Sequence, residues 1–170
     1  MSRVLDATTL TAQALASRPD TSAFVAANAG SGKTFVLARR VTRLLLDGAD
    51  PARVLCLTFT KAAAANMANR VLARLAEFVA ADDATLREIL AEVTGSQAID
   101  AALMARARRV FALALETPGG LKIQTIHAFC ERLLHQFPFE AEVAASFGVR
   151  ADATAAAASS TARPGTVASN

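Results

Sequence analysis

Residues 27–34 read Ala27-Asn28-Ala29-Gly30-Ser31-Gly32-Lys33-Thr34, two glycines flanking a serine with a lysine and a threonine directly behind. The spacing is that of a phosphate-binding loop, G-x-x-x-x-G-K-[ST], with Ala27 in place of the first glycine. Gly30 and Gly32 let the backbone curl so that successive amide N–H groups point inward, at the start of a helix whose dipole favours an anion. Lys33 adds a point charge for the β- and γ-phosphates of a nucleotide, and Thr34 a hydroxyl for the accompanying Mg²⁺. A Gly-Ser turn that merely begins a helix would share the glycines. This one lies between an apolar run and an amphipathic helix, which favours the phosphate-binding reading.

The flanks extend the pattern. Upstream, residues 22–27 (Ser-Ala-Phe-Val-Ala-Ala) are a short apolar run without helical spacing and read as a buried strand. Residues 9–16 before it form a lead-in helix ended by Arg18-Pro19. Downstream, Val36, Leu37, Val41, Leu44 and Leu45 share a helical face until Asp47-Gly48. Val54-Leu55-Cys56-Leu57 is the continuous apolar run of a parallel strand, expected beside the first strand in a right-handed βαβ crossover. A long helix follows, with Met67, Val71, Leu72, Leu75 and Val79 at helical spacing, closed by Asp82-Asp83.

Residues 85–93 and 97–115 read as two more helices parted by Thr94-Gly95, a helical insertion. The second sets Leu103, Val110 and Leu113 against Arg106, Arg108 and Arg109, cations read as a solvated face in preference to a DNA contact. After Pro118-Gly119-Gly120, residues 121–124 read as a third short strand, and Thr125 opens a helix carrying Ile126, Phe129, Leu133 and Leu134. The fold class is α/β, an incomplete parallel sheet of the P-loop NTPase type. Residues 151–170 hold eight Ala, three Ser and three Thr with Val167 as the only branched aliphatic, too little to offset ordering, and read as a disordered tail.

Composition narrows the function. At 170 residues, 53% hydrophobic and 19% charged, the chain is one foldable, helix-leaning domain, short for a motor enzyme. No run approaches the roughly 18 apolar residues of a membrane span, and the N-terminus lacks the basic and apolar regions of a secretory signal, so a cytoplasmic protein without a membrane partner is expected. The excess of 18 Lys and Arg over 15 Asp and Glu permits an anionic partner without demanding one. Cys56 and Cys130 lie in apolar runs and read as reduced core thiols. His127 and His135, with Cys130 between, do not make a zinc spacing.

Three blocks occur in order: Asn-Ala-Gly-Ser-Gly-Lys-Thr at 28–34, Leu-Thr-Phe-Thr-Lys-Ala-Ala-Ala at 57–64 and Gln-Thr-Ile-His-Ala-Phe-Cys at 124–130. Together they resemble the UvrD-like superfamily one DNA helicases, and among them the AddA-type helicase-nuclease subunits, over about residues 8–149. The resemblance implies a partial UvrD-like helicase ATP-binding domain of RecA-like fold in residues 1–149, with ATP and Mg²⁺ as cofactors. It also implies DNA ends, single- or double-stranded, as substrate, an AddB-like partner for the full-length protein, and a role in double-strand break repair and recombination. Gln13 looks like the glutamine that reads adenine, and the second and third blocks look like motifs Ia and Ib of the single-stranded DNA path. The residues themselves allow that contact. Thr58, Thr60 and Thr125 stand at strand ends where α/β sheets bind ligands, Phe59, His127 and Phe129 offer ring faces for bases, and Lys61 adds a charge. Thr before a helix is also an ordinary N-cap, and buried Phe an ordinary core residue.

The departures bear on catalysis. Asn66 stands where relatives commonly carry an acidic residue, and neither the acidic pair that would hold Mg²⁺ and orient water nor the later arginines of the family is found. Leu44-Leu45-Leu46-Asp47 imitates such a strand, but Gly48 marks it as a helix end. Lys33 and Thr34 therefore contribute to a catalytic set that is not complete, and these residues are expected to hydrolyse ATP poorly or not at all, as an N-terminal piece of a longer enzyme whose tail suggests truncation or a shifted frame. The alternative is a non-catalytic, nucleotide-dependent DNA- or protein-binding module; a small P-loop phosphotransferase would need an acid and an acceptor pocket that the sequence does not show.

Overall fold

The computed structural model describes residues 6–26, 28 and 30–142. The chain divides into two compact units, residues 1–126 and 127–170. Along the first run α1 (Ala7–Ala16), α2 (Lys33–Leu46), a 3-10 turn (Pro51–Arg53), β1 (Leu55–Thr58), α3 (Lys61–Ala80), α4 (Asp83–Thr94), α5 (Ala101–Glu116) and β2 (Lys122–Thr125). α6 (Ile126–Gln136) begins on the last residue of the first unit and continues in the second.

Local chemistry sets most helix starts. Asp6, Thr60, Asp82 and Asp100 sit in extended backbone, and their side chains accept the amides of Thr9, Ala63, Thr85 and Leu103, donors that a helix start otherwise leaves open. The backbone hydrogen bond from Thr9 holds the Asp6 carboxyl below the usual carboxylate range, and that from Thr85 does the same for Asp82. Asp82 thus opens α4, whereas the sequence suggested that it closes α3.

The core lies among α2, α3, α4 and α5, with Leu45, Leu46, Val71, Leu75, Phe78, Leu86, Leu90, Ala107 and Val110 all buried. Cys56 of β1 belongs to it, with Ile123 of β2 packed against it. The helices read as an insertion are therefore one wall of the core itself. Three positions on the expected apolar faces point outward: Leu37, Val79 and Leu113 are exposed, and Ala38, Phe78 and Ala114 are buried in their vicinity. A face read from sequence carries an error of one residue, about 100° of helix rotation, which packing then resolves.

The sheet differs from expectation. Residues 22–26 are irregular rather than a strand, with Phe24 96% exposed. The partner foreseen for them, β1, pairs in parallel with β2, placing Leu55 beside Lys122, Cys56 beside Ile123, Leu57 beside Gln124 and Thr58 beside Thr125. The connection between these two strands runs through α3, α4 and α5. A strand exists only by its ladder, and the chain leading into residue 22 is held by side-chain bonds instead: the Arg40 guanidinium donates to the carbonyls of Ala16, Arg18 and Thr21. Thr125 closes β2 and precedes α6.

Arg106 and Arg108 are not a solvated face. Arg106 Nη1 donates to the Leu46 carbonyl at the end of α2 (2.8 Å). Arg108 donates to the carbonyls of Val79 (3.3 Å) and Ala81 (3.1 Å) at the end of α3 and pairs with Asp83 (2.7 Å). Cations at helix C-termini satisfy carbonyls that the helix cannot. Arg109 alone of the three is exposed. The tail at 151–170 and the boundary near residue 150 lie outside the described residues.

Cys56 is buried, and burial pushes its thiol up from the ordinary cysteine value. Cys130, read as a core thiol, is instead exposed, on a helix that buries none of its side chains. A water-soluble maleimide is expected to label one cysteine per native chain, at Cys130, and a second only after unfolding in denaturant; rapid native labelling of both, read by mass spectrometry of tryptic peptides, would contradict the packing of β1.

Candidate functional site

The phosphate-loop residues gather at the start of α2. Gly30 and Gly32 have φ of +78° and +85°, the left-handed region that side-chain-bearing residues avoid. Gly32 is the N-cap of α2 and offers no side-chain acceptor, in contrast to the Asp and Thr caps of α1, α3, α4 and α5, the kind of helix start at which an anion can take the place of a cap. Lys33 Nζ donates to the Asn28 carbonyl (2.6 Å) and to Ser31 Oγ (3.4 Å). Thr34 is exposed in the first turn of α2, and Ala27 and Ala29 lie outside the described residues.

Gln13 joins this group from α1, its Nε2 donating to the Ser31 carbonyl at 3.3 Å. Beside these residues opens a cleft of about 410 Å³, walled by α1, by the chain at 24–26 and by Ser31, Lys33 and Val36. The sequence singled out Gln13 and the loop but missed Phe24 as a wall residue, because the run around it was read as a buried strand. Its position three residues ahead of Ala27 was the available signal. A Cβ on Gly32 would lie 3.1 Å from Gln13 Nε2 while keeping φ at +85°. Gly32→Ala is therefore expected to cost about 1–2 kcal/mol in urea unfolding and to disturb the Gln13 contact; an unchanged midpoint would mean that the loop relaxes freely.

A second group lies at the carboxyl ends of the two strands. Thr58 and Thr125 are register partners there. Thr125 is buried, Thr58 Oγ1 donates to the Thr60 carbonyl (3.1 Å), and Thr60 Oγ1 accepts the Ala63 amide (3.1 Å), so the two described hydroxyl bonds serve the chain itself. Phe59 is 85% exposed and Lys61 is exposed at the start of α3, a ring and a charge on one short turn. In the second unit, His127 is exposed and Phe129 half-buried near the start of α6.

Comparison with known proteins adds the family. The model of the UvrD/REP helicase N-terminal domain matches residues 7–164. A protein of Lactobacillus helveticus (strain DPC 4571), named as an ATP-dependent helicase/nuclease subunit, is 34% identical over 135 residues, covering 78% of this chain and 9% of that relative. Proteins of the same name are 35% identical over 113 residues in Latilactobacillus sakei subsp. sakei (strain 23K), covering 66% and 10%, and 39% identical over 137 residues in Pelotomaculum thermopropionicum (strain DSM 13744 / JCM 10971 / SI), covering 78% and 9%. The chain thus spans about a tenth of the length of the relatives it matches. No solved structure matches it.

Proposed function

This chain belongs to the UvrD/REP helicase family, and from that premise we propose that it is the N-terminal part of an ATP-dependent DNA helicase of the AddA-like helicase/nuclease type. One observation carries the reading: Gln13, Ser31 and Lys33 meet at the mouth of a cleft beside the uncapped start of α2. That arrangement suits a nucleoside triphosphate, with amides and an ammonium for the anionic end and an amide side chain with an apolar wall for the base. Magnesium bound with the triphosphate would neutralise part of its charge, and Thr34 would offer it a hydroxyl.

In this reading Lys33 moves from the Asn28 carbonyl to the β- and γ-phosphates, residues 27–34 cradle the triphosphate and Gln13 recognises adenine. Thr58, Phe59, Thr60 and Lys61 of the second block are proposed to contact single-stranded DNA, and Thr125, His127 and Phe129 of the third block are each proposed to do so as well. Phe59 suits stacking in any sequence because it is exposed. Work on DNA ends in double-strand break repair and recombination, and an AddB-like partner, belong to the whole protein and are proposed with it. Among the described residues no helix is long and apolar enough to cross a membrane; a cytoplasmic site of action is part of the proposal.

The test is a titration of the folded 170-residue chain with a fluorescent ATP analogue and Mg²⁺, with and without a labelled single-stranded oligonucleotide. Saturable nucleotide binding, with oligonucleotide binding weakened by Phe59→Ala, is expected. No saturable nucleotide binding by a sample with native circular dichroism would sink the reading.

A further inference from the structure

The base side of the cleft has an unusual support. α1 carries Gln13 and forms one wall, yet it buries none of its own side chains. Residues 24–26 form the facing wall and are exposed chain without a strand ladder. Neither wall contributes a side chain to the hydrophobic core.

Polar bonds from α2 tie down the end of α1 and the chain up to residue 21 that leads into the second wall. Arg40 Nη1 donates to the Ala16 carbonyl at the end of α1 (3.1 Å) and to the Arg18 carbonyl (2.5 Å), and Nη2 donates to the Thr21 carbonyl. Arg43 Nη1 reaches the fully buried Ser17 Oγ (3.3 Å) next to them. Three carbonyls spread over six residues converge on one planar group, which suits the fixed fork of a guanidinium and not the single point of an ammonium. Because α2 also carries Lys33, the helix that begins at the triphosphate end fixes the base end from its own third turn.

We infer that Arg40 is a positioning residue for base recognition: its guanidinium ties α1 and the entry to residues 22–26 onto α2, a role that rests on the nucleotide reading of this cleft. Arg40 does not line that cleft and acts through Gln13 and the facing wall. The bonds of Arg40 go to Ala16, Arg18 and Thr21 and not to Ser31, Gly32 or Lys33, the residues proposed to grip the triphosphate. Loss of the tether should therefore act on the nucleoside part of a ligand and spare its phosphates. Apparent affinity scales with the fraction of molecules in the competent arrangement, so reducing that fraction to about a tenth weakens ATP binding roughly tenfold.

The experiment compares the chain with its Arg40→Ala and Arg40→Lys variants, using Mg-ATP and inorganic tripolyphosphate with Mg²⁺ as probes and amide hydrogen exchange as a second readout. Both variants should bind ATP roughly tenfold more weakly and tripolyphosphate as before. Exchange should rise in residues 7–22 and stay unchanged in α3, α4 and α5. Arg40→Lys keeps the charge, so its loss of ATP affinity reports the fork and not the field; it also decides the matter if Arg40→Ala fails to fold. An unchanged ratio of ATP to tripolyphosphate affinity in Arg40→Lys, whether both fall or neither does, would overturn the inference while leaving the nucleotide reading intact. Failure of the unsubstituted chain to bind either probe would overturn both.

Discussion

Lys33→Ala is expected to weaken Mg-ATP binding by roughly 30- to 150-fold while leaving urea unfolding unchanged to within about 0.5 kcal/mol. The two halves of that expectation have separate causes. In the structure the ammonium is exposed and donates to the Asn28 carbonyl and Ser31 Oγ, contacts that an exposed chain replaces with water at little cost. Against a triphosphate the same group would meet oxygens carrying full charge, where a charge-assisted hydrogen bond is worth about 1.5–3 kcal/mol and the Coulomb attraction at about 4 Å is of similar size once desolvation is subtracted. About 2–3 kcal/mol of net loss corresponds to the stated factor. Isothermal titration of both proteins, each first shown folded by circular dichroism, decides it. Equal affinities would mean that the loop at 28–34 does not hold the phosphates, and the nucleotide reading would fall with the loop.

The loop was legible in the sequence because everything that makes it is local. Positive φ at Gly30 and Gly32, an uncapped helix start and a lysine one residue later all follow from adjacent residues. The same holds for the helices that Asp82 and Asp100 begin, since an N-cap needs only the next few amides. What the sequence hid depends on distant partners. Residues 22–26 have the apolar composition of a strand but make no ladder, and β1 found β2 instead, across three helices. Arg106 looked like surface charge because its acceptor, the Leu46 carbonyl, is 60 residues away in the chain. Cys130 looked like core because it sits among Ile126, Phe129 and Leu133, although its helix buries none of its side chains. Of the candidate site, the loop and Gln13 were therefore readable, while Phe24 in the facing wall and the arginine bonded to the chain ahead of it were not.

Phe78→Ala is expected to cost about 3–5 kcal/mol of folding free energy, and Val79→Ala less than about 1 kcal/mol. Periodicity alone predicted the reverse, since Val79 continued the apolar series from Met67 through Leu75. The structure buries Phe78 completely, within a core that also takes in Leu75, Leu86, Leu90 and Val110, and leaves Val79 46% exposed. Removing a buried ring forfeits its transfer free energy and leaves a cavity that helices on several sides can close only in part. At a half-exposed valine, water already covers much of what the substitution removes. A loss of the expected size is a large share of the roughly 5–15 kcal/mol that holds a domain of this kind together. Urea unfolding followed by circular dichroism, with matched slopes so that midpoints compare directly, reads both variants. Equal losses would show that α3 is rotated by about one residue from its described orientation, and that would carry Met67, Val71 and Leu75 away from the contacts on which the whole core depends.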